Sequence, residues 1–154
     1  HAGLLKRQPI PQDTTIITPF MWLSIVVTGA VLIIGGLLQL ATGFLGGSTP
    51  EEIRTVFFSA FIIAAVWNGI NCRALDGKMP SFFKGNPMFF VIMGLVVALQ
   101  IVLVQYGCAI FNTVPLSAYQ WVTIIIATAF VLVVGFVLRV AYRGYLSGKS
   151  VMPA

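Results

Sequence analysis

Apolar residues run along this chain in four long blocks separated by short polar gaps. The blocks cover about Phe20–Phe44, Ile53–Cys72, Met88–Gly107 and Trp121–Leu138. Each is near the ~20 residues that a helix needs to cross ~30 Å of hydrocarbon. Arg54, at the very start of the second block, is the one charged residue in any of them. A charge at the centre of a spanning helix costs roughly 2.5–3.5 kcal/mol on insertion scales, so four blocks without one are informative. The pattern predicts an all-α, polytopic membrane protein with four transmembrane helices.

Local signals mark the helix starts independently of hydropathy. Thr18-Pro19 offers an N-cap followed by proline at the first helical position, where the missing N–H costs nothing. Thr49-Pro50-Glu51-Glu52 repeats this with a Glu three residues after the Thr, a capping box whose acids also suit the helix dipole. Asn86-Pro87 opens the third helix, and Ser117-Ala118-Tyr119-Gln120 forms a second capping box. On the second helix, Ala60/Ala64 and Ala65/Gly69 are small-residue pairs that allow close helix approach. Trp22, Tyr106, Tyr119 and Trp121 fall near span ends and read as an interfacial belt.

The charges in the gaps orient the chain. Lys6 and Arg7 precede the first span, Arg73, Lys78 and Lys84 lie between the second and third, and Arg139, Arg143 and Lys149 follow the fourth. Eight of the nine basic residues thus share one side, with Arg54 on the other. By the positive-inside rule both termini and the middle loop are predicted to be cytoplasmic. The organisation expected is a cytoplasmic link over 1–19 and a four-helix membrane domain over 20–154. Its two outer loops would be Leu45–Glu52 and Cys108–Gln120. Arg139, Arg143 and Lys149 are read as snorkelling end-anchors in preference to anionic-lipid contacts.

Composition agrees. The 154 residues are 58% hydrophobic and 8% charged, against about 25% charged in soluble domains. The basic residues are spread over juxtamembrane segments without interleaved stacking aromatics, so no nucleic-acid partner is expected; the lipid bilayer is. Cys72 and Cys108 are placed at opposite membrane faces, too far apart for a disulfide, and read as small apolar fillers. Two cysteines and one histidine make no structural zinc site. His1 stands where an initiator Met would, which suggests a piece of something longer.

Polar residues inside spans are candidates for function. Asn68 and Asn71 share a face near the end of the second helix, and Gln100 lies deep in the third. They either line an ion path or hydrogen-bond across helices as packing groups, and chemistry alone favours packing. Gln39 and Gln105 are weaker candidates of the same kind. No carboxylate lies within a span. Since Ca²⁺ takes six to eight oxygens, no complete metal site is expected in this chain. No phosphate-binding loop, Ser/His/Asp set or paired carboxylates are present, so no catalytic residue and no cofactor is assigned.

Several stretches resemble a known family. Trp67-Asn68-Gly69-Ile70-Asn71-Cys72-Arg73-Ala74-Leu75 is similar to the end of the eighth membrane helix of P-type calcium ATPases. Phe83-Lys84-Gly85-Asn86-Pro87-Met88-Phe89-Phe90 is similar to the turn into their ninth helix, and Gln100–Gly107 to that helix's outer end. Val114-Pro115-Leu116-Ser117, followed by Gln120-Trp121, resembles the entry to the tenth. Leu4-Leu5-Lys6-Arg7-Gln8-Pro9 and Ile17-Thr18-Pro19 are similar to the link after the sixth helix in the plasma-membrane type. The matches are collinear over nearly the whole chain.

The resemblance implies the C-terminal transport and support segment, helices seven to ten, of a plasma-membrane pump driven by ATP. Ca²⁺ is the expected cargo, with another cation as the variant reading. The parent would be an ion-translocating ATP hydrolase using ATP and Mg²⁺, whereas this chain, lacking the catalytic domains, would not hydrolyse ATP. Its partners would be the remaining helices and cytoplasmic domains of that ATPase. Reticulum-type pumps carry a Glu where this chain has Ala65, which puts a second ion site in doubt. The alternative is a free-standing four-helix membrane scaffold or small channel-like protein.

Overall fold

The computed structural model describes residues 17–72 and 87–149, apart from the side chains of 108, 109 and 146–149. Lys6, Arg7, Arg73, Lys78, Lys84 and Asn86 therefore lie outside the described residues, as does the side chain of Lys149. Among the described residues there are six helices: α1 (Pro19–Thr42), α2 (Pro50–Asn71), α3 (Pro87–Tyr106), the single turn α4 (Cys108–Phe111), α5 (Ala118–Thr128) and α6 (Phe130–Lys149). Four stretches are long and apolar enough to span a membrane: α1, α2, α3 and the α5–α6 rod over Ala118–Tyr145. Among the described residues there is no strand.

Helix ends follow local chemistry. The Thr18 hydroxyl accepts from Met21 N–H at 3.2 Å, with Pro19 at the first helical position. Thr49 accepts from Glu52 N–H at 3.2 Å. The expected reciprocal half differs: Glu52 Oε2 reaches one residue further back and takes Ser48 N–H at 2.7 Å. Ser117 and Gln120 form the full capping box, at 3.3 and 2.8 Å. α2 and α5 each begin three residues before the apolar blocks do, because a capped first turn is helical while still polar.

α1 ends sooner than hydropathy suggests. Gly43 adopts φ 63° and its N–H closes on the Gln39 carbonyl at 2.8 Å, stopping the helix before apolar Phe44. Gly47, at φ 119°, presses on the backbone of Ile53, where a side chain would collide.

The fourth span is interrupted. Thr128 Oγ1 bonds back to the carbonyls of Ile124 (2.6 Å) and Ile125 (3.3 Å). Leu132 N–H then bonds the Ala129 carbonyl in a tighter turn, at 2.9 Å. A Thr hydroxyl competing for the backbone acceptors is a known cause of bending. The helix resumes at Phe130 and runs well past the expected end at Leu138.

α2 is the hub, packing against α1, α3, α5 and α6. It is the least apolar of the four spans, the reverse of what water would select. Lipid tails are as apolar as Leu, so burial goes to small and polar residues that pack closely or hydrogen-bond. Thr55, Ser59, Ala60 and Ala64 are accordingly buried on α2, while Ala65 is exposed. The core joins Val56, Ala60 and Ile63 to Val104, Leu116, Trp121 and Ile124. Trp121 is thus not a belt residue: one turn inside α5, it faces α2 and is 7% exposed. Trp22, Tyr106 and Tyr119 are exposed, as are Ile33, Val91, Leu95 and many other large apolar side chains. Cys72 is free and exposed and fills no core space.

Two glutamines anchor the connections. Gln39, 1% exposed, donates to the Gly46 carbonyl at 3.0 Å and accepts from Leu45 N–H at 2.8 Å. Gln105 donates to the Leu116 carbonyl at 3.0 Å and accepts from Leu116 N–H at 2.9 Å. Thr55 links the helix to the second loop by accepting from Val114 N–H at 3.2 Å. Replacing Gln39 by Leu strands two loop backbone groups, each worth about 1–3 kcal/mol when left unsatisfied. Thermal unfolding in mild detergent should show Gln39→Leu clearly destabilised and Thr42→Val, at an exposed position of α1, close to wild type.

Candidate functional site

The end of α2 carries the predicted polar pair, and the two asparagines have different surroundings. Asn71 reaches across to α6. Its Nδ2 donates to the Val131 carbonyl at 2.8 Å, and its Oδ1 accepts from Arg139 Nη2 at 2.8 Å. Between these two partners lies Gly135, and a Cβ there would overlap the Asn71 carboxamide. Val131, Gly135 and Arg139 follow one another at intervals of four, which places them on one face of α6. The carboxamide therefore occupies the space that the missing side chain of Gly135 leaves on this face of α6.

Arg139 departs from the expected snorkelling anchor. It is 5% exposed and turned inward to Asn71. Arg143, one turn further, is exposed. Two features ease the burial of the guanidinium. One is the charge-assisted bond to Asn71. The other is the C-terminus of α2, whose free carbonyls carry roughly half a negative charge.

Asn68 is half-buried and lines a small recess with Asn71, Cys72 and Arg139, closed by Phe20, Ser24 and Thr28 of α1. Phe20 also packs on Tyr142 with ring centroids 4.9 Å apart, joining the start of α1 to α6. Gln100 is elsewhere. It is 4% exposed and its Nε2 stands 3.5 Å from Ser59 Oγ, a long contact between α3 and α2. Asn68 and Asn71 thus share a site that Gln100 does not enter.

A larger apolar cleft of about 270 Å³ lies between α1, α2 and the α5–α6 junction. Gly35, Gly36, Ala60, Ala64 and Ala127 leave the space, and Thr128 and Phe130 bring the helix interruption to its wall. Its surface offers little chemistry beyond Gln39 and Thr128. Among the described residues no three His, Cys, Asp or Glu side chains gather to hold a metal ion. The site residues that hydropathy does not mark are Ser59, Thr28 and Gly135. Only Gly135 carries a sequence signal, its spacing of four from Arg139.

Comparison with known proteins follows the same helices. Residues 1–141 match the family model described as cation transporting ATPase, C-terminus. Calcium-transporting ATPase 4, plasma membrane-type, of Arabidopsis thaliana is 30% identical over 100% of this chain and 16% of that protein. Calcium-transporting ATPase 12, plasma membrane-type, of the same plant is 30% identical over 86% of the chain and 13% of its own length. Plasma membrane calcium-transporting ATPase mca-1 of Caenorhabditis elegans is 38% identical over 50% of the chain and 6% of that protein. The chain therefore spans well under a fifth of these relatives.

The contact of Asn71 with α6 makes a specific energetic prediction. Gly135→Ala should destabilise the bundle by about 1–3 kcal/mol, the usual range for forcing an atom into a filled space. In an Asn71→Ala background the same substitution should cost far less, because the overlapping carboxamide is gone. A double-mutant cycle on unfolding midpoints measures the coupling. Strict additivity would remove the contact as a stabilising feature.

Proposed function

Because the chain belongs to the family of cation-transporting ATPase C-termini, we propose that it is the supporting part of an ATP-driven cation pump's membrane domain. The reading takes Ca²⁺ as cargo and the plasma membrane as location, from the relatives named plasma-membrane calcium-transporting ATPases. The lipid bilayer and the rest of the parent pump are its partners. ATP and Mg²⁺, which the family of ATPases implies for the parent pump, would be used by that remainder.

One observation carries the supporting role. Four polar side chains of this bundle hold helices and loops together. Asn71 joins α2 to α6, Gln39 and Gln105 fasten the loops, and Thr55 ties α2 to the second loop. A hard cation needs oxygen donors, usually with carboxylates among them. Of the chain's four acids, Glu51 and Glu52 sit in the first turn of α2, and Asp13 and Asp76 lie outside the described residues. A unit built this way braces the helices that coordinate the ion without contributing its own ligands.

Bracing and coordination predict different kinetics. In the native polypeptide, Asn71→Ala should lower thermal stability and maximal calcium-dependent ATPase activity while leaving the apparent calcium affinity within about threefold. Asn68→Ala should behave more mildly in the same direction. A tenfold or larger loss of calcium affinity, with stability intact, would place these residues on the ion path instead. The polypeptide's mass in source membranes separates the pump from a free-standing scaffold. An immunoblot against the Lys78–Asn86 loop should give a band several-fold larger than 16.7 kDa, and a band at that mass would count against the pump.

A further inference from the structure

Among the described residues no acid stands near Arg139 to neutralise its charge. The described residues include two acids, Glu51 and Glu52, and both lie in the first turn of α2. Asn71, the contact of Arg139, is the last residue of that 22-residue helix, some 30 Å away at ~1.5 Å per residue. The Asn71 amide oxygen is a dipole, not a charge, and the end of α2 supplies only about half a charge. Buried cations are otherwise paired or bound to an anion.

The recess beside Arg139 sets several polar residues into a mainly apolar wall. Its volume is about 50 Å³, and the residues lining it include Arg139, Asn68, Ser24, Thr28 and Cys72. A water needs roughly 10–15 Å³, so three or four oxygen-sized groups fit there. These residues come from α1, α2 and α6, and polar side chains supplied by several elements are what recognition of a tetrahedral oxyanion uses. The rim is formed by Ile25, 58% exposed, and by exposed Cys72. The opening therefore lies beside apolar surface at the very end of two spans, at the depth where lipid headgroups begin.

We propose that this recess binds a phosphate group at Arg139, with the headgroup of an anionic lipid as the source that its apolar rim favours. The inference stands apart from the pumping role. Bound there, the phosphate would neutralise Arg139 and join the start of α1 to the ends of α2 and α6.

The test follows the thermal midpoint of the native polypeptide in mild detergent. It is titrated in turn with dioctanoyl phosphatidic acid, dioctanoyl phosphatidylcholine and inorganic phosphate. Phosphatidic acid should raise the midpoint saturably and phosphatidylcholine should not. A lipid source requires inorganic phosphate to act only at concentrations tenfold or more above phosphatidic acid, and equal potency assigns the site to free phosphate. Arg139→Gln should weaken the phosphatidic acid response by about tenfold or more, the worth of one charge-assisted hydrogen bond. Arg139→Lys should retain part of it. Should Arg139→Gln fail to fold, Cys72→Asp serves in its place. It sets a carboxylate at the exposed rim and should abolish the response by supplying the anion internally. Equal shifts with both lipids, or a phosphatidic acid response unchanged in Cys72→Asp, would overturn the proposal. So would a wild type indifferent to all three ligands whose stability falls in Asp13→Asn/Asp76→Asn, since the counter-charge would then be the chain's own.

Discussion

Hydrocarbon offers no hydrogen bonds, so each polar group carried into the bundle must find its partner elsewhere on the chain. The arrangement of α2 follows from this constraint. Its Thr55, Ser59 and Asn71 would be poorly placed against lipid, and each faces another part of the protein. The Leu- and Ile-rich faces of α1 and α3 can meet lipid without loss and are left outside. Centrality in this fold is therefore a property of the more polar helix. Exceptions persist: the indole N–H groups of Trp67 and Trp121 and the Thr113 hydroxyl are buried without a partner among the described residues. Each should carry an energetic penalty that the tight packing around it offsets.

The parts of the fold legible in the sequence are those whose cause is local. A Thr or Ser followed by its capped turn needs only a few consecutive residues, and Thr18, Thr49 and Ser117 all cap as their spacing implies. Span number and approximate position follow from block length. Which face of a helix turns inward is a different matter. In water, an apolar stripe marks the buried side; in lipid both sides are apolar and the stripe disappears. Trp121 and Tyr119 sit two positions apart near one span end, yet one is core and the other is exposed. Gly43 was obscured in a similar way, because apolar Phe44 continues the hydrophobic run beyond the left-handed residue that ends the helix.

Arg139 illustrates the same limit more sharply. Charge position alone places it just beyond a span, where a long side chain ordinarily reaches for water. The helix instead continues past it, and Asn71 intercepts the guanidinium. Nothing between residues 71 and 139 announces that meeting. Its one trace is Gly135, a gap of the right size four residues before the arginine. The pair Asn68 and Asn71 was visible as a pair, but their division of labour depended on which of them faced α6.

These contacts decide where the four helices are fastened to one another. A brace has to resist shear between its own helices while offering a surface to its partners. The lock between α2 and α6 resists axial sliding, because the Asn71 carboxamide is held between a backbone carbonyl and a guanidinium on a surface that Gly135 leaves open. The opposite end is fixed by Gln39, Gln105 and Thr55 acting on loop backbone. Between the two ends lies the apolar cleft at the Ala129 interruption, where small residues and a back-bonded threonine replace interhelical bonds. The hydrogen bonds that fasten α2 to α6 and to the loops are thus placed toward the two ends of the bundle, with apolar packing and the long Gln100–Ser59 contact between them.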